Sequence, residues 1–134
     1  MPIYQQQRKN MVQCQLETNG VKDPRILAAY ETLPREQFVN EPNKGIAYLD
    51  EDLRLENGRY LMSPMTHARL VQAAAPDESD VVLCLGCPVG YSPAIWSNLV
   101  TTVIMMRQRS DHIENAENIW KEHELCNIAV FLGS

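Results

Sequence analysis

What this sequence lacks excludes several classes of protein. No run of about 18 apolar residues occurs, so no segment is typical of a transmembrane helix and no membrane partner is expected. The amino terminus, MPIYQQQRKN, has no apolar core of the kind found in secretory signals, and the expected compartment is the cytoplasm. Lysine and arginine never cluster beyond a pair and the formal net charge is -5, so nucleic acid is not an expected partner. In a reducing compartment the four cysteines are expected to be thiols.

The length and composition fit one globular domain. The chain has 134 residues, and its hydrophobic fraction of 45% is close to the average for globular proteins. We predict a single domain over residues 1–134, in which a helical cap and loop at 1–76 precede a strand-rich half at 77–134. The sequence contains no internal repeat.

The first third of the chain is patterned for two helices. Residues 5–17 contain no helix breaker, and Asn19-Gly20 supplies a stop. Asp23 is suited to cap a second helix, and Pro24 is suited to its first position. This second helix is expected to end before Pro34.

The following segment is less regular. A single helical turn is expected over residues 34–39, and an ordered loop with a short strand over residues 40–60. Ser63-Pro64 then begins a further helix. Its buried side is expected to consist of Ala68, Leu70, Val71 and Ala74.

The second half alternates short apolar runs with helical segments, a pattern typical of a parallel sheet. Strands are expected at Val81 to Leu85, Val103 to Met106 and Ile128 to Leu132. One connecting helix is expected to open at Ser92-Pro93 and another at Ser110-Asp111. The inward side of the latter should consist of Ile113, Ala116, Ile119 and Trp120. The predicted class is therefore α/β: a βαβαβ half-sheet preceded by a helical amino-terminal cap.

Residues 81–91, VVLCLGCPVGY, run from a strand through a glycine-containing turn into a helix. Such an arrangement usually marks a small-molecule site, because glycines allow the backbone to approach a ligand closely. Here Gly86 and Gly90 bracket three residues that include Pro88 and Val89. These side chains add bulk and stiffness to the turn.

Several stretches, in order along the chain, carry a resemblance to a known family. They are Met11-Val12 with Gln15-Leu16, Gly20-Val21, Asp23-Pro24-Arg25-Ile26-Leu27, Leu33-Pro34-Arg35-Glu36 with Phe38-Val39, Ala47-Tyr48 with Asp50, Pro64, Val82-Leu83, and Gly86 with Gly90-Tyr91. From about Asn10 to Gly133 the chain resembles protein-L-isoaspartate O-methyltransferase, particularly its bacterial members.

The resemblance implies a Rossmann-like methyltransferase fold with a doubly wound parallel sheet. It also implies S-adenosylmethionine as cofactor and, as substrate, the free carboxylate of isoaspartyl residues in damaged proteins, which the family methylates in protein repair. The cofactor-binding residues implied are Gly86, Cys87, Gly90, Tyr91 and Arg107, and the substrate-side residues are Tyr60, Met62 and Asp50.

Two departures from the family pattern lie on the cofactor side. The family turn Gly-Thr-Gly-Ser-Gly is replaced by residues 86–90, GCPVG, and the usual acidic residue two positions earlier is Cys84. The acidic residue that would accept hydrogen bonds from the ribose hydroxyls falls at Arg107. Arginine has only donors, so we expect weak binding of S-adenosylmethionine.

Two further departures concern the substrate side and the end of the sheet. The family run Gln-Thr-Ile-Ser aligns with residues 59–62, RYLM, so the family serine becomes Met62; Ser63, one position later, is the candidate catalytic residue. The sequence ends at Ser134, after the third strand, where family members continue. The first strand would then lack a neighbour, and its open edge predicts a homo-oligomer or a partner.

Two alternatives follow and stay open. The chain is either a methyltransferase-like enzyme with little or no turnover, or a non-catalytic interaction protein that binds itself or a partner through its sheet edge or helical cap. Alternatively, the chain is a fragment of a longer protein; the sequence does not decide this.

Cys84, Cys87, His123 and Cys126 could be drawn as a zinc site. In a parallel sheet, however, the first two and the last two would lie at opposite strand ends, on the order of 10 Å or more apart. We therefore predict no metal site, no redox pair, and thiols buried in apolar surroundings. His67 is expected to be a packed or solvated side chain.

Overall fold

The structure, a computed structural model, describes residues 2–108 and 113–133. Contacts divide the chain into two units, Met1–Ala75 and Pro76–Ser134, called here the N-terminal and the C-terminal unit. This division falls one residue from the expected boundary between the helical cap and the strand-rich half. That the units together form a single domain stays a prediction.

The N-terminal unit begins with one long helical run of changing geometry. It consists of α1 (Pro2–Met11), a π-helical stretch (Val12–Leu16) and a 3-10 turn (Glu17–Asn19). Gly20 ends the run in the left-handed conformation, at φ +92°, which confirms the predicted stop. The π-helical stretch was not predicted, because it leaves no mark in the spacing of apolar residues.

Short helices follow in the expected order. The helix α2 (Pro24–Thr32) is capped by Asp23, whose side chain accepts a hydrogen bond from the backbone N–H of Arg25. The predicted single turn is α3 (Arg35–Phe38). A further turn, α4 (Glu41–Lys44), lies in the segment expected to be a loop.

The rest of that segment forms a small antiparallel ladder. The strands β1 (Leu53–Arg54) and β2 (Tyr60–Leu61) pair with Leu53 opposite Leu61, and a 3-10 turn (Glu56–Gly58) lies between them. The prediction of a loop with one short strand was therefore incomplete, because the segment contains two strands. Strands of two residues are too short to show the alternation on which strand prediction depends.

The helix α5 (Pro64–Ala74) begins where predicted but buries a narrower face. Ala68 and Val71 are buried, whereas Leu70 is 55% exposed and Ala74 is also exposed. At about 100° per residue, Leu70 lies on the far side of the helix from Ala68, so these two cannot share a face. The prediction was wrong for Leu70 and Ala74.

The C-terminal unit is a three-stranded parallel sheet with helical crossovers. Its elements are β3 (Val81–Leu85), α6 (Tyr91–Ser97), β4 (Thr102–Arg107), α7 (Glu114–Glu122) and β5 (Ile128–Leu132), and the strand order is β3-β4-β5. This confirms the α/β class. The helix α6 starts one residue before the predicted position, and the predicted start of α7 at Ser110-Asp111 lies outside the described residues.

The strand register assigns the side chains of the sheet to two faces. Val82 pairs with Val103 and Cys84 with Met105; these residues lie on the face that packs against α6. The inward side predicted for α7 is confirmed, since Ile113, Ala116, Ile119 and Trp120 are all buried. On the opposite face of β3, Val81, Leu83 and Leu85 are 60%, 56% and 67% exposed.

Within the described ranges, no helix is both long and apolar enough to cross a membrane.

Candidate functional site

The turn after β3 lies at the carboxyl ends of the parallel strands. Leu85 pairs with Met106, so Gly86 follows β3 at the level where Arg107 ends β4. Ligands of α/β sheets bind beyond these strand ends, where loops and helix N-termini present backbone N–H groups. The structure thus brings together two of the predicted cofactor-side residues, Gly86 and Arg107, and a third, Cys87, follows Gly86 in the turn.

The two glycines of the turn serve different purposes. Both have positive φ, +69° at Gly86 and +77° at Gly90. A Cβ at Gly90 would lie 2.5 Å from Cβ of Ala116 and 2.9 Å from Cζ2 of Trp120, whereas a Cβ at Gly86 would meet no atom within 4 Å. Gly90 is therefore required for packing against α7, and Gly86 keeps an open side.

The remaining cofactor-side candidates, Gly90 and Tyr91, are held by contacts within the protein. Tyr91 is the first residue of α6 and is buried, so it can offer a ligand only its backbone. Trp120 Nε1 donates a hydrogen bond of 3.1 Å to the Gly90 carbonyl, which fixes the end of the turn. Arg107 is half-buried, and its carbonyl accepts a hydrogen bond of 2.6 Å from Gly133.

The cysteines are in different environments. Cys84 is buried and hydrogen-bonded to the half-buried Cys87; this hydrogen bond and burial raise the pKa of the Cys84 thiol. Cys126 is exposed, which corrects the expectation of burial: it lies on the polar loop before β5 rather than on a strand. Across residues 2–108 and 113–133, no three His, Cys, Asp or Glu side chains are placed to hold a metal ion.

In the N-terminal unit, the backbone of Met62 and Ser63 is held from two sides. Arg35, which is 0% exposed, donates a hydrogen bond of 3.0 Å to the Met62 carbonyl and one of 2.6 Å to the Ala47 carbonyl. Oδ1 of Asp52 accepts a hydrogen bond of 2.8 Å from the Ser63 N–H. These contacts fix the segment on which the candidate substrate-side residues lie.

Ser63, the candidate catalytic residue, is the N-cap of α5. It is buried, its Oγ accepts a hydrogen bond of 3.4 Å from the Thr66 N–H, and its hydroxyl donates one of 2.9 Å to Thr66 Oγ1. The hydroxyl is therefore engaged in closing the first turn of the helix. A catalytic role for Ser63 stays a prediction.

The substrate-side candidates are accessible. Tyr60 on β2 and Met62 after it are exposed, and Asp50 is exposed on the loop before β1. A methionine thioether is at best a weak hydrogen-bond acceptor and cannot donate, so Met62 cannot do what a serine hydroxyl would do at that position.

A buried polar cluster was not predicted. Arg8 donates to the Tyr48 hydroxyl at 2.9 Å and to Oε1 of Glu36 at 3.1 Å, and the Tyr48 hydroxyl donates to the same Glu36 oxygen. Burial and the Glu36 hydrogen bond raise the pKa of Tyr48. The available signal was two charged residues, Arg35 and Glu36, in a segment that begins with Leu33-Pro34 and ends with the apolar Phe38-Val39.

His67 is packed, as expected. Its Nδ1 is hydrogen-bonded to the Tyr30 hydroxyl, and the two rings meet edge to face with centroids 5.9 Å apart. Burial, with a smaller contribution from the Arg35 charge, lowers the pKa of His67 to about 4. The imidazole is therefore neutral near pH 7.

A parallel βαβαβ sheet with a strand, a glycine turn and a helix at its carboxyl edge defines a Rossmann-like, cofactor-binding class of protein. The sequence model of the protein-L-isoaspartate(D-aspartate) O-methyltransferase family matches residues 6–134. The chain belongs to the protein-L-isoaspartate O-methyltransferase family, which confirms the resemblance.

Individual relatives agree with this assignment. A protein-L-isoaspartate O-methyltransferase of Protochlamydia amoebophila is 35% identical over 92% of this chain and 59% of its own length. A solved protein-L-isoaspartate O-methyltransferase superposes with a TM-score of 0.79 at 21% identity, over 95% of this chain and 42% of that one. A Plasmodium falciparum protein described as a beta-aspartate methyltransferase, solved in complex with S-adenosyl-L-homocysteine, superposes with a TM-score of 0.68. The two are 17% identical, over 92% of this chain and 62% of that one.

In each of these comparisons the chain spans less than two thirds of the relative's length. Activity, substrate and partners of the whole relatives are therefore proposals for this chain.

Proposed function

We propose that this chain binds S-adenosylmethionine weakly at the turn formed by residues 86–90 and transfers its methyl group to isoaspartyl carboxylates slowly or not at all. The observation that carries the cofactor site is the position of Gly86 beside Arg107, at the carboxyl ends of two adjacent parallel strands. Family membership supplies the chemistry, and the complex of the Plasmodium falciparum relative with S-adenosyl-L-homocysteine supports this choice of cofactor.

Three features of the turn support weak binding. Arg107 cannot accept hydrogen bonds from ribose hydroxyls, and Pro88 has no backbone N–H to offer. Gly90 packs against Ala116 and Trp120, so its Cβ side faces α7 and is not open to a ligand. Gly86 is the one glycine of the turn whose Cβ side is open to a ligand.

The reaction needs positioning more than proton transfer. A carboxylate attacks the sulfonium methyl group in line, so the protein has to orient two ligands and exclude water. On the substrate side, Tyr60, Met62 and Asp50 are the exposed groups that could orient a peptide, on a backbone held by Arg35 and Asp52. No residue is assigned as a general base.

The cofactor site is tested by calorimetric titration with S-adenosylmethionine. We expect no micromolar binding by the natural chain and a gain of about tenfold or more for Arg107→Glu, since a carboxylate accepts two charge-assisted hydrogen bonds. Arg107→Met, which removes the cation without adding an acceptor, is the matched control. Micromolar binding by the natural chain, or methyl transfer to an isoaspartyl peptide, would refute weak binding; equal affinities of the two variants would refute the site.

A second candidate function is self-association through β3. Within the described sheet β3 pairs with β4 alone, and the strand carries no charge or proline of the kind that blocks edge pairing. A second copy is the favoured occupant, because two identical uncharged edges can pair about a two-fold axis without repulsion.

Sedimentation at high protein concentration tests this candidate. We expect a dimer that Leu83→Lys dissociates and Leu70→Lys, an equally exposed leucine on α5, leaves intact. A monomeric natural chain would contradict self-association. The cofactor titration separates the two functions, because an interaction protein requires no methyl donor.

A further inference from the structure

Among the described residues, one face of the parallel sheet is apolar and left uncovered. The helix α6 packs against the face that carries Val82 and Cys84, and side chains alternate between the two faces along each strand. The strand register therefore places on the opposite face, row by row, Leu85 with Met106 and Phe131, Leu83 with Ile104 and Ala129, and Val81 with Thr102. We call this set of side chains the uncovered face.

An uncovered apolar face is unusual on a parallel sheet. Such sheets normally have both faces covered, and exposed apolar patches on soluble monomers rarely exceed a few hundred Å². Val81, Leu83, Leu85 and Phe131 are each more than half exposed. Each of them exposes on the order of 100 Å² of apolar surface, to which the half-buried side chains of the central strand add. The patch extends over three strands and has the size of an interaction surface.

We propose that the uncovered face binds the same face of a second copy of this chain, so that two sheets pack against each other about a two-fold axis. Each copy would contribute on the order of 500 Å², and the total of about 1,000 Å² reaches the lower limit for a specific interface. Sheets packed in this way lie about 10 Å apart, with their strands rotated by about 30°. The proposal depends neither on cofactor binding nor on pairing at the edge of β3.

The composition of the uncovered face favours a second copy over a charged partner. Its side chains carry no charge, and the Thr102 hydroxyl is the one polar group among them. Near a two-fold axis a charged side chain would meet its own copy, which is unfavourable, so a surface that binds itself has to be uncharged there. A partner with a charged surface would instead bury that charge without an opposite charge to pair with it.

Sedimentation equilibrium of the full chain over a wide range of concentrations tests this interface. We expect a dimer, and we expect Phe131→Lys to weaken it at least about tenfold, because the new charge would lie within an apolar contact. Leu132→Lys is the matched control. Phe131 and Leu132 are neighbours on β5 with exposed fractions of 53% and 50%, but Leu132 pairs with Arg107 and lies on the other face. Leu132→Lys should leave the dimer intact.

The same variants separate the uncovered face from the edge of β3. Phe131 lies two strands from that edge, on the order of 10 Å away, so a dimer formed by edge pairing would keep its strength in Phe131→Lys. That result would overturn the proposal and leave edge pairing in place. A monomeric natural chain, or equal weakening by Phe131→Lys and Leu132→Lys, would also overturn it. If circular dichroism shows that Phe131→Lys does not fold, Met106→Lys in the central strand replaces it, with the same expected result.

Discussion

The two units of this chain use polar side chains in opposite ways. In the N-terminal unit Arg35 and Glu36 are buried together with the hydroxyl of Tyr48, and each makes hydrogen bonds to partners distant in sequence. In the described part of the C-terminal unit the buried side chains are apolar apart from Ser97, and a glycine decides how closely its turn approaches α7. Loss of a buried polar side chain should therefore lower the stability of the N-terminal unit most. Addition of a single methyl group at the glycine should lower the stability of the C-terminal unit most.

The largest effect is expected from Arg35→Met. Two backbone carbonyls, of Ala47 and Met62, would lose their donor in a buried region, and unfolding should become easier by about 3–5 kcal/mol. Urea denaturation followed by circular dichroism measures the change. Arg54→Met, at an exposed arginine of the same unit, should change stability by less than about 0.5 kcal/mol. Equal effects of the two substitutions would contradict a special role for the buried cation.

The same variant tests whether the units unfold together. Both tryptophans, Trp96 and Trp120, lie in the C-terminal unit, so tryptophan fluorescence reports on that unit. If residues 1–134 form one cooperative domain, the fluorescence midpoint should move together with the circular dichroism midpoint in Arg35→Met. A fluorescence transition that does not move would show two independently folding units.

The next effect concerns pH and the N-terminal unit. His67 has a folded pKa of about 4, below its ordinary value of 6.5, so the unfolded chain takes up the proton first as the pH falls. The contribution of His67 to the free energy of unfolding should have its full value above about pH 6.5. It should decrease by about 3 kcal/mol as the pH falls to about 4. His67→Gln, which cannot titrate, should flatten this part of the curve. A natural chain with equal stability at pH 6.5 and pH 4 would contradict a lowered pKa of His67 in the folded protein.

A pair of glycine substitutions probes the C-terminal unit. Gly86→Ala and Gly90→Ala both place a side chain at positive φ, but the new Cβ meets neighbours only at Gly90. The shared conformational strain should cost about 1 kcal/mol in each variant, and Gly90→Ala should lose about 2 kcal/mol more from overpacking. Thermal unfolding followed by tryptophan fluorescence measures both. Similar losses would show that α7 yields to the added methyl group.

Features set by local sequence were predictable. The strands β3 and β5 have the predicted bounds, because uninterrupted apolar runs of this length are typical of parallel strands. Asp23 caps its helix as predicted, since capping depends on two or three neighbouring residues. The turn at residues 86–90 also followed from a strand, two glycines and a helix in succession; that it binds a cofactor stays a prediction.

Features set by distant partners were not predictable. Arg8 meets Glu36 and Tyr48 across 28 and 40 residues, and no local pattern indicates which charges will pair across such a distance. The buried face of α5 depends on the elements packed against it, and apolar spacing alone wrongly included Leu70.

The smallest expected effect separates a structural from a catalytic Ser63. Its hydroxyl accepts from the Thr66 N–H and donates to Thr66 Oγ1, so Ser63→Ala should lower the stability of the N-terminal unit by about 1 kcal/mol. Ser63→Thr keeps the hydroxyl and should retain most of that stability, which makes it the matched control. Circular dichroism melting compares the two. If Ser63→Ala leaves the melting temperature unchanged, the cap does not stabilise α5, and the structural role of the hydroxyl is refuted.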